Sequence, residues 1–569
     1  MGDLTTPDTQ VLIIGAGPTG LTMACELARH GVSFRVVDKL ASPSEISRAF
    51  LIHARTLEIF ENMGIASEFV QRGLKIHDAN LYAEGKRLVH LALDDLDSGF
   101  PYSLSLPQHE TEKILNEFLG RLGARVERNL RLDHFRQDDS GVTAVIRRLD
   151  GKDEVVRANW LVACDGSQST VRNMLALPFE GTDVVEHGFL LADLKVKWKL
   201  PNDEMHSFFS EDGVVVVIPM PSGCHRIVVN LPDSEPHVDE RPPTLDEIRD
   251  LLERRGVKDI KISHPVWLSR FYIHHRMVTD YRVGRVFLAG DAAHLHSPVG
   301  GQGMNTGIQD AYNLAWKIGL VEKGAGQPRI LDSYQAERQA VARALLAATA
   351  KTTRVATLRH PVVQAIRNRV AGFLTGFDVV QSRLTRGLAM IGLNYRKSPI
   401  VAEHRAGITN INFAGVQGTE EPNFAQWLDF GGGPHAGDRA PDAGVRVRTS
   451  EEIVPLYQLL QGTQHNLLLF DGFSATSGGY HNLREIANYF AERYPGRIQV
   501  HVAIPHAAVP PELNWHGSII LDPEWDLHCR YGAAAECLYL VRPDGYIGYR
   551  SQPADGTKLQ AYLETIFVK

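Results

Sequence analysis

The chain has 569 residues, of which 44% are hydrophobic and 22% charged, and its 60 basic and 67 acidic residues leave a net charge of −7. That length exceeds one compact core, so two or three structural units are expected. Interspersed charge with no basic block excludes a nucleic-acid footprint, and no apolar run reaches membrane-spanning length. The polar, acidic beginning of the sequence is not a secretory leader. Five scattered cysteines (Cys25, Cys164, Cys224, Cys529, Cys537) suit reduced thiols in a cytoplasm rather than a disulfide framework.

In chain order, residues 10–14 form an apolar run, followed by a glycine-rich turn and a helical pattern over 21–29. Residues 33–38 form a second short β-type run, which makes a strand–helix–strand unit of a parallel sheet. A pair of strands is expected over 79–93, a helix over 111–122 and strands over 141–147 and 155–163. Residues 183–231 are rich in valine and isoleucine without helical periodicity, and they predict an antiparallel sheet. The parallel-sheet pattern returns at 284–289, a long helix covers 304–323, and 333–391 is mostly helical. Residues 399–445 carry many Gly, Pro, Asp and Asn and read as an extended linker. From 456 strands and helices alternate afresh (466–470, 482–494, 498–503), which predicts a separate C-terminal α/β unit.

Three motifs carry chemistry. In Gly15-Ala16-Gly17-Pro18-Thr19-Gly20 the glycines permit a tight turn, backbone approach to a pyrophosphate, and helix-on-strand packing. The following helix N-terminus offers open N–H groups to phosphate. Asp38, with Lys39 beside it, ends the second strand where a carboxylate would meet ribose hydroxyls. This setting predicts nucleotide binding without separating FAD from NAD. The second motif is Cys164-Asp165-Gly166-Ser167 at a strand end. The third is Gly290-Asp291-Ala292-Ala293-His294, continuing through Ser297-Pro298-Val299-Gly300-Gly301-Gln302-Gly303-Met304-Asn305. Either of these is commonly only an acidic turn. At the ends of parallel strands, in this order, they point to one ligand. His294 and His296 lack further ligands nearby, so no metal site is expected.

With these residues in place, the sequence resembles the single-component flavoprotein aromatic hydroxylases, the superfamily of para-hydroxybenzoate hydroxylase and phenol hydroxylase, from residue 10 to about 343. The resemblance implies an α/β fold, α+β overall. A Rossmann-like FAD-binding domain (1–78, 100–182, 270–396) would carry an antiparallel-sheet substrate domain (79–99, 183–269). A linker and thioredoxin-like domain (397–569) would follow. It implies FAD held by Gly15, Gly17, Pro18, Thr19, Gly20, Asp38 and Lys39 on the ADP side, with Arg48 at the pyrophosphate and Gln108 opening the next helix. Asp165 and Gly166 would serve FAD and NAD(P)H. Gly290 and Asp291 would meet the ribityl chain, and Pro298, Gly301, Gly303, Met304 and Asn305 the flavin ring. NADPH or NADH would be the reductant and O₂ the oxidant. A flavin hydroperoxide would hydroxylate an aromatic, phenolic small molecule, and the enzyme would be a homodimer.

The carbonyl of Pro298 is expected near the substrate hydroxyl, with Tyr272 and His53 as polar groups that act on it; His274 and His275 are further candidates. Substrate contacts are expected from Phe208, Met220 and Arg226 of the antiparallel sheet. Phe50 and Phe271 stand where phenol hydroxylase has an aspartate and a tyrosine. Baeyer–Villiger oxidation, epoxidation or antibiotic and polyketide modification on the same fold is the alternative. The C-terminal unit lacks a Cys-x-x-Cys pair, since Cys529 and Cys537 are eight apart, so disulfide exchange is not expected of it.

Overall fold

The computed structural model describes residues 7–43, 49–83, 85–148, 150–181, 187–210, 212–231, 241–273, 276–295, 300–356, 378–405, 407, 422, 424–448, 452–473 and 477–568. Strand Thr9–Ile14 is buried almost throughout, as its run of Val11, Leu12, Ile13 and Ile14 demands of a central parallel strand. It lies between Phe34–Asp38 and Asp153–Ala163, parallel to both, with Val11 opposite Phe34 and Trp160. Val286–Leu288 continues the parallel set, and Glu127–Arg128 closes its other side. Strands Val142–Arg148 and Leu130–Gln137 add an antiparallel branch. Helices Pro18–Arg29, Gln108–Arg121 and Gly303–Glu322 pack together beside this sheet.

A second sheet runs in the order Lys261–Ile273, His187–Lys197, His225–Asn230, Gly213–Pro219, Met205–Ser210, Asp78–Ala83, Lys86–Ala92. The expected strands over 79–93 are therefore its far edge. Side chains alternate between its two faces. Leu190, Ala192, Phe208, Val215, Val217, Ile227 and Val229 pack against Ile248, Leu251 and Leu252 of helix Leu245–Arg254. Residues of opposite parity face the nucleotide-binding unit: Ile218 and Val216 pack with Phe50, and Phe189, Leu191 and Val228 with Trp267.

The C-terminal sheet has the order Ala402–Arg405, Ile547–Gln552, Ala535–Val541, His465–Gly472, Ile498–Ile504, Ser518–Leu521, Gly444–Val447, Ile453–Pro455. His465–Gly472 and Ile498–Ile504 are parallel around helix Ser477–Arg493, and Ala535–Val541 and Ile547–Gln552 form an antiparallel hairpin. Within the segment expected to be an extended linker, the described residues include regular elements. Ala402–Arg405 pairs with Tyr549–Gln552, Phe424–Gly432 is helical, and Gly444–Val447 pairs with strands on both sides. Short edge strands need only backbone hydrogen bonds, so their sequences can be rich in polar residues and glycine.

Candidate functional site

The three motifs meet because glycine lets them touch. A Cβ on Gly15, whose φ is +100°, would lie 2.3 Å from the Cys164 carbonyl oxygen, so the first motif abuts the second. A Cβ on Gly290 would lie 2.6 Å from Thr19 Oγ1, and one on Gly307 2.3 Å from the same atom, so Thr19 is the contact between the first motif and the third. Gly17 differs. A Cβ there would meet nothing within 4 Å, which leaves open room beside the helix start for a pyrophosphate. Gly17 caps helix Pro18–Arg29 without a side-chain hydrogen bond, and Pro18 contributes no N–H.

Asp38 fixes this loop, accepting the Ala16 N–H at 2.7 Å and the Leu40 N–H at 2.8 Å. Each oxygen keeps a further lone pair for a sugar hydroxyl. Lys39 is exposed beside it. Asp165 accepts the Thr170 N–H at 2.7 Å through Oδ2, while its buried Oδ1 has no protein partner among the described residues. Burial raises the Asp165 carboxyl, and hydrogen bonding to the Ser169 side chain, then to the Val171 and Thr170 N–H groups, pulls it back down. Gly166, with φ +79°, makes the turn that follows. An orphaned acceptor beside an open phosphate bay fits a dinucleotide such as FAD. Asp291 is exposed on the adjoining turn, and Gln108 receives the Ala49 N–H at 3.4 Å as it opens its helix.

Helix Gly303–Glu322 begins without a side-chain cap or an acidic residue in its first turn, so its positive end stays available to an electron-rich ring. Met304 is half-buried there. Asn305 was expected to bind the cofactor, but its side chain is committed elsewhere. It donates to the Leu51 and Gly301 carbonyls at 2.8 Å each and accepts the His53 N–H at 3.0 Å. That amide ties the glycine-rich loop to strand Leu51–Ile52. Gly301 itself, at φ +64°, lies against Leu51.

His53 is likewise bonded within the protein. Its Nε2 donates to the Gly300 carbonyl at 2.8 Å and its Nδ1 accepts from Ser103 Oγ at 3.1 Å. Burial pushes the imidazole down to about 4, against the Gly300 and Gly301 carbonyls, which raise it. With both nitrogens engaged and the ring neutral, His53 holds a loop rather than exchanging protons.

Among the substrate candidates, Phe208 lies on the wrong face. It stacks on Tyr82 at 4.8 Å beside the 245–254 helix, away from the nucleotide-binding unit. Met220 is buried at the turn between strands Gly213–Pro219 and His225–Asn230. Arg226 is on the facing side, fully buried, and donates to both Asp193 oxygens at 2.7 Å. Its guanidinium lies 4.6 Å from the Phe50 ring centroid and 5.1 Å from that of Trp267. Phe271 and Tyr272 occupy register positions opposite Phe189 and Gly188. Arg48, His274, His275, His296 and Pro298 lie outside the described residues.

Two functional contributors were not anticipated. Asp193 compensates Arg226. Asp310 accepts the Gly290 N–H at 2.9 Å and the His294 Nε2–H at 2.7 Å through one oxygen, and Arg338 Nε at 2.6 Å through the other. Burial raises the Asp310 carboxyl, but Arg338 and His294 outweigh it and leave it below the ordinary range. A carboxylate in an otherwise buried helix was the available signal.

A family model described as an FAD binding domain matches residues 8–349. The chain belongs to this family. It is 34% identical to 6-methylpretetramide 4-monooxygenase of Streptomyces rimosus, over 98% of this chain and 93% of that protein. It is 30% identical to pentachlorophenol 4-monooxygenase of Sphingobium chlorophenolicum, over 99% and 97%. The solved structure of an anhydrotetracycline hydroxylase from Streptomyces rimosus superposes with a TM-score of 0.70 at 26% identity, covering 98% of this chain and 99% of that one. Membership makes the chain a flavoprotein monooxygenase with FAD as its cofactor. No helix among the described residues is long and apolar enough to cross a membrane.

Proposed function

We propose that this enzyme hydroxylates a neutral phenolic or polyphenolic aromatic compound, with NAD(P)H as reductant and O₂ as oxidant. The observation that carries the substrate class is the Arg226–Asp193 pair. Among the described residues the inner face of the sheet presents Phe189, Leu191, Val216, Ile218, Val228 and Trp267, with Phe50 of the nucleotide-binding unit packed against it, and its fully buried guanidinium, Arg226, is already compensated by Asp193. Among the described residues a substrate carboxylate there would find no uncompensated cationic partner, and its desolvation would go unrepaid. Two full-length relatives, one named for pretetramide and one for pentachlorophenol, act on ring compounds of very different size, which supports an aromatic substrate without fixing its dimensions. Ring hydroxylation is favoured over Baeyer–Villiger oxidation or epoxidation on the same grounds.

In this reading Gly15, Gly17, Thr19, Gly20, Asp38 and Asp165 hold the ADP half of FAD, with Arg48 and Gln108 beside them. Asp291 and the start of helix Gly303–Glu322 receive the flavin half. FAD supplies the transfer of electrons from NAD(P)H and the activation of O₂. The chain contributes orientation of the ring, exclusion of water by the apolar face, and a positive helix end near the cofactor. Pro298 and Tyr272 remain the proposed polar neighbours of the substrate hydroxyl. The division into FAD-binding, substrate and C-terminal units is also proposed, with the described strands of 402–405 and 444–447 joined to the C-terminal sheet. The order 547–552, 535–541, 465–472, 498–504, with the second of these antiparallel to the others, supports reading it as thioredoxin-like. All five cysteines are free, which supports a reducing, cytoplasmic setting; the homodimer stays a proposal.

The test is NAD(P)H oxidation by the purified holoenzyme with a panel of phenols, polyphenols and matching benzoates, followed by product mass. Neutral phenols should accelerate flavin reduction and yield a product with one added oxygen atom. Stimulation by the benzoates alone would refute the assignment.

A further inference from the structure

The C-terminal unit has no cysteine pair at its strand ends, yet it is fastened to the FAD-binding unit by one of the most heavily buried charge networks in the molecule. Arg542, at the end of strand Ala535–Val541, donates to both oxygens of Glu337 at 2.6 and 3.0 Å and to Asp544 at 2.5 and 3.0 Å. Glu337 also receives Lys317 Nζ at 2.7 Å, Asn313 Nδ2 at 2.7 Å and Ser398 Oγ at 2.6 Å. Asp544 receives Asn313 Nδ2 and Trp316 Nε1, each at 3.1 Å. Lys317, Glu337, Arg542 and Asp544 are almost wholly buried.

The place of this network in the fold gives it meaning. Asn313, Trp316 and Lys317 belong to helix Gly303–Glu322, whose start receives the flavin half of FAD in the proposed function, a reading on which this inference rests. Glu337 belongs to the neighbouring helix Asp332–Ala356. The residue after it, Arg338, bonds Asp310, and Asp310 holds the Gly290–His294 turn. Arg338 also donates to the Thr306 carbonyl at 3.2 Å, in the first turn of the same helix. Its remaining arm donates to the Tyr395 hydroxyl at 2.7 Å, and the Tyr395 ring lies 4.2 Å from that of Tyr546 in the C-terminal hairpin. One pair of helices thus carries two adjoining ionic nodes, one gripping the third cofactor motif and the other gripped by residues 542–546.

We infer that the C-terminal unit is a positioning module for the flavin site. Through Arg542, Asp544 and Tyr546 it fixes the register of the two helices, and through Asp310 and Arg338 that register fixes the Gly290–His294 turn. Buried charges have few alternative partners, so such nodes are held in discrete arrangements rather than sliding continuously. Asp310 and Glu337 are positioning residues, since they act through the turn and the helix pair.

The test uses the full-length chain stripped of FAD. Affinity for added FAD is read by quenching of flavin fluorescence, the bound flavin's midpoint potential is measured, and melting of the apoprotein is followed separately. Asp310→Asn should weaken FAD affinity and shift the potential. Glu337→Gln and Arg542→Met should weaken FAD affinity about tenfold at temperatures where the apoprotein is fully folded. Tyr395→Phe supplies a milder lesion in the same connection should Arg542→Met fail to fold. The Asp310→Asn/Glu337→Gln double variant should lose less than the product of the single losses, because both lesions release one turn. The inference is overturned if Glu337→Gln and Tyr395→Phe melt earlier yet hold FAD within about twofold of wild type at unchanged potential. It is equally overturned if Asp310→Asn leaves affinity and potential unmoved. A wild-type chain that takes up no FAD would overturn the cofactor assignment together with this inference, whereas the other patterns strike the coupling alone.

Discussion

The nucleotide cradle and the substrate sheet are built on opposite principles. The cradle is made of backbone: Gly15, Gly20 and Gly290 are where the chain passes too close to Cys164, Gly15 and Thr19 for any side chain. The proposed substrate face is made of side chains, Arg226, Asp193 and Trp267 on a regular sheet with Phe50 lying against Arg226. A backbone site tolerates no enlargement and serves one ligand shape. A side-chain face can be repainted while the sheet stays intact, which suits relatives that bear the names of such different ring compounds.

The largest effect should come from the cradle. A Cβ at Gly20 would sit 2.0 Å from the Gly15 carbonyl oxygen, a backbone atom that cannot swing aside. Gly20→Ala should therefore weaken FAD binding by at least about a hundredfold and give colourless protein, as titration of the apoprotein would show. Near-normal FAD affinity in that variant would break the contrast. In the sheet, Asp193→Ala removes the carboxylate that accepts two hydrogen bonds from the buried Arg226, and should lower stability by about 3–5 kcal/mol while FAD affinity per folded molecule holds. Thermal melting and FAD titration on the same sample would separate the two.

The two faces of the sheet offer a finer comparison. Phe50→Leu removes the ring lying against Arg226 and should raise substrate KM about tenfold, whereas Phe208→Leu should change it less than about twofold while costing about 1 kcal/mol of stability. Steady-state kinetics with the best phenol decides it, and equal KM changes would mean the faces have been assigned wrongly. The smallest effect lies outside both regions. Burial raises the Asp471 carboxyl to about 7, against the Tyr480 hydroxyl, which lowers it. The folded chain therefore keeps a proton that the unfolded chain sheds near pH 4, and the stability this confers is whole below pH 4 and drains away as pH rises to about 7. Asp471→Asn should flatten the fall in melting temperature across that window and make the protein relatively more stable at pH 8.

Much of this was legible in the sequence. The buried parallel strands announced themselves as continuous apolar runs, and the glycine spacing marked a cradle whose geometry only glycine allows. The sheet was legible as a sheet, but which face served the site was not. Side chains alternate with a period of two, so a single residue of register moves Phe208 from one face to the other, and loop lengths do not set that parity. Ala402–Arg405 has no apolar pattern because an edge strand is held by its backbone. His53 and Asn305 were singled out by position. Their actual work, tying the glycine-rich loop to residues 51–53 and 103, depends on partners from about 50 to more than 250 residues away. The Asp310–Arg338 pairing joins two helices, and no helical periodicity within either one could reveal it.

The thiols complete the picture of a protein that handles oxygen. Cys25, Cys164, Cys224 and Cys537 are all interior, and burial drives Cys25, Cys164 and Cys537 far above the ordinary thiol range. Because the thiolate is the form that reacts with peroxide, a sulfhydryl such as Cys164, set beside the cradle glycines and held protonated by burial, stays chemically silent. Cys529, on the surface of the C-terminal unit, is the one exposed thiol of the five.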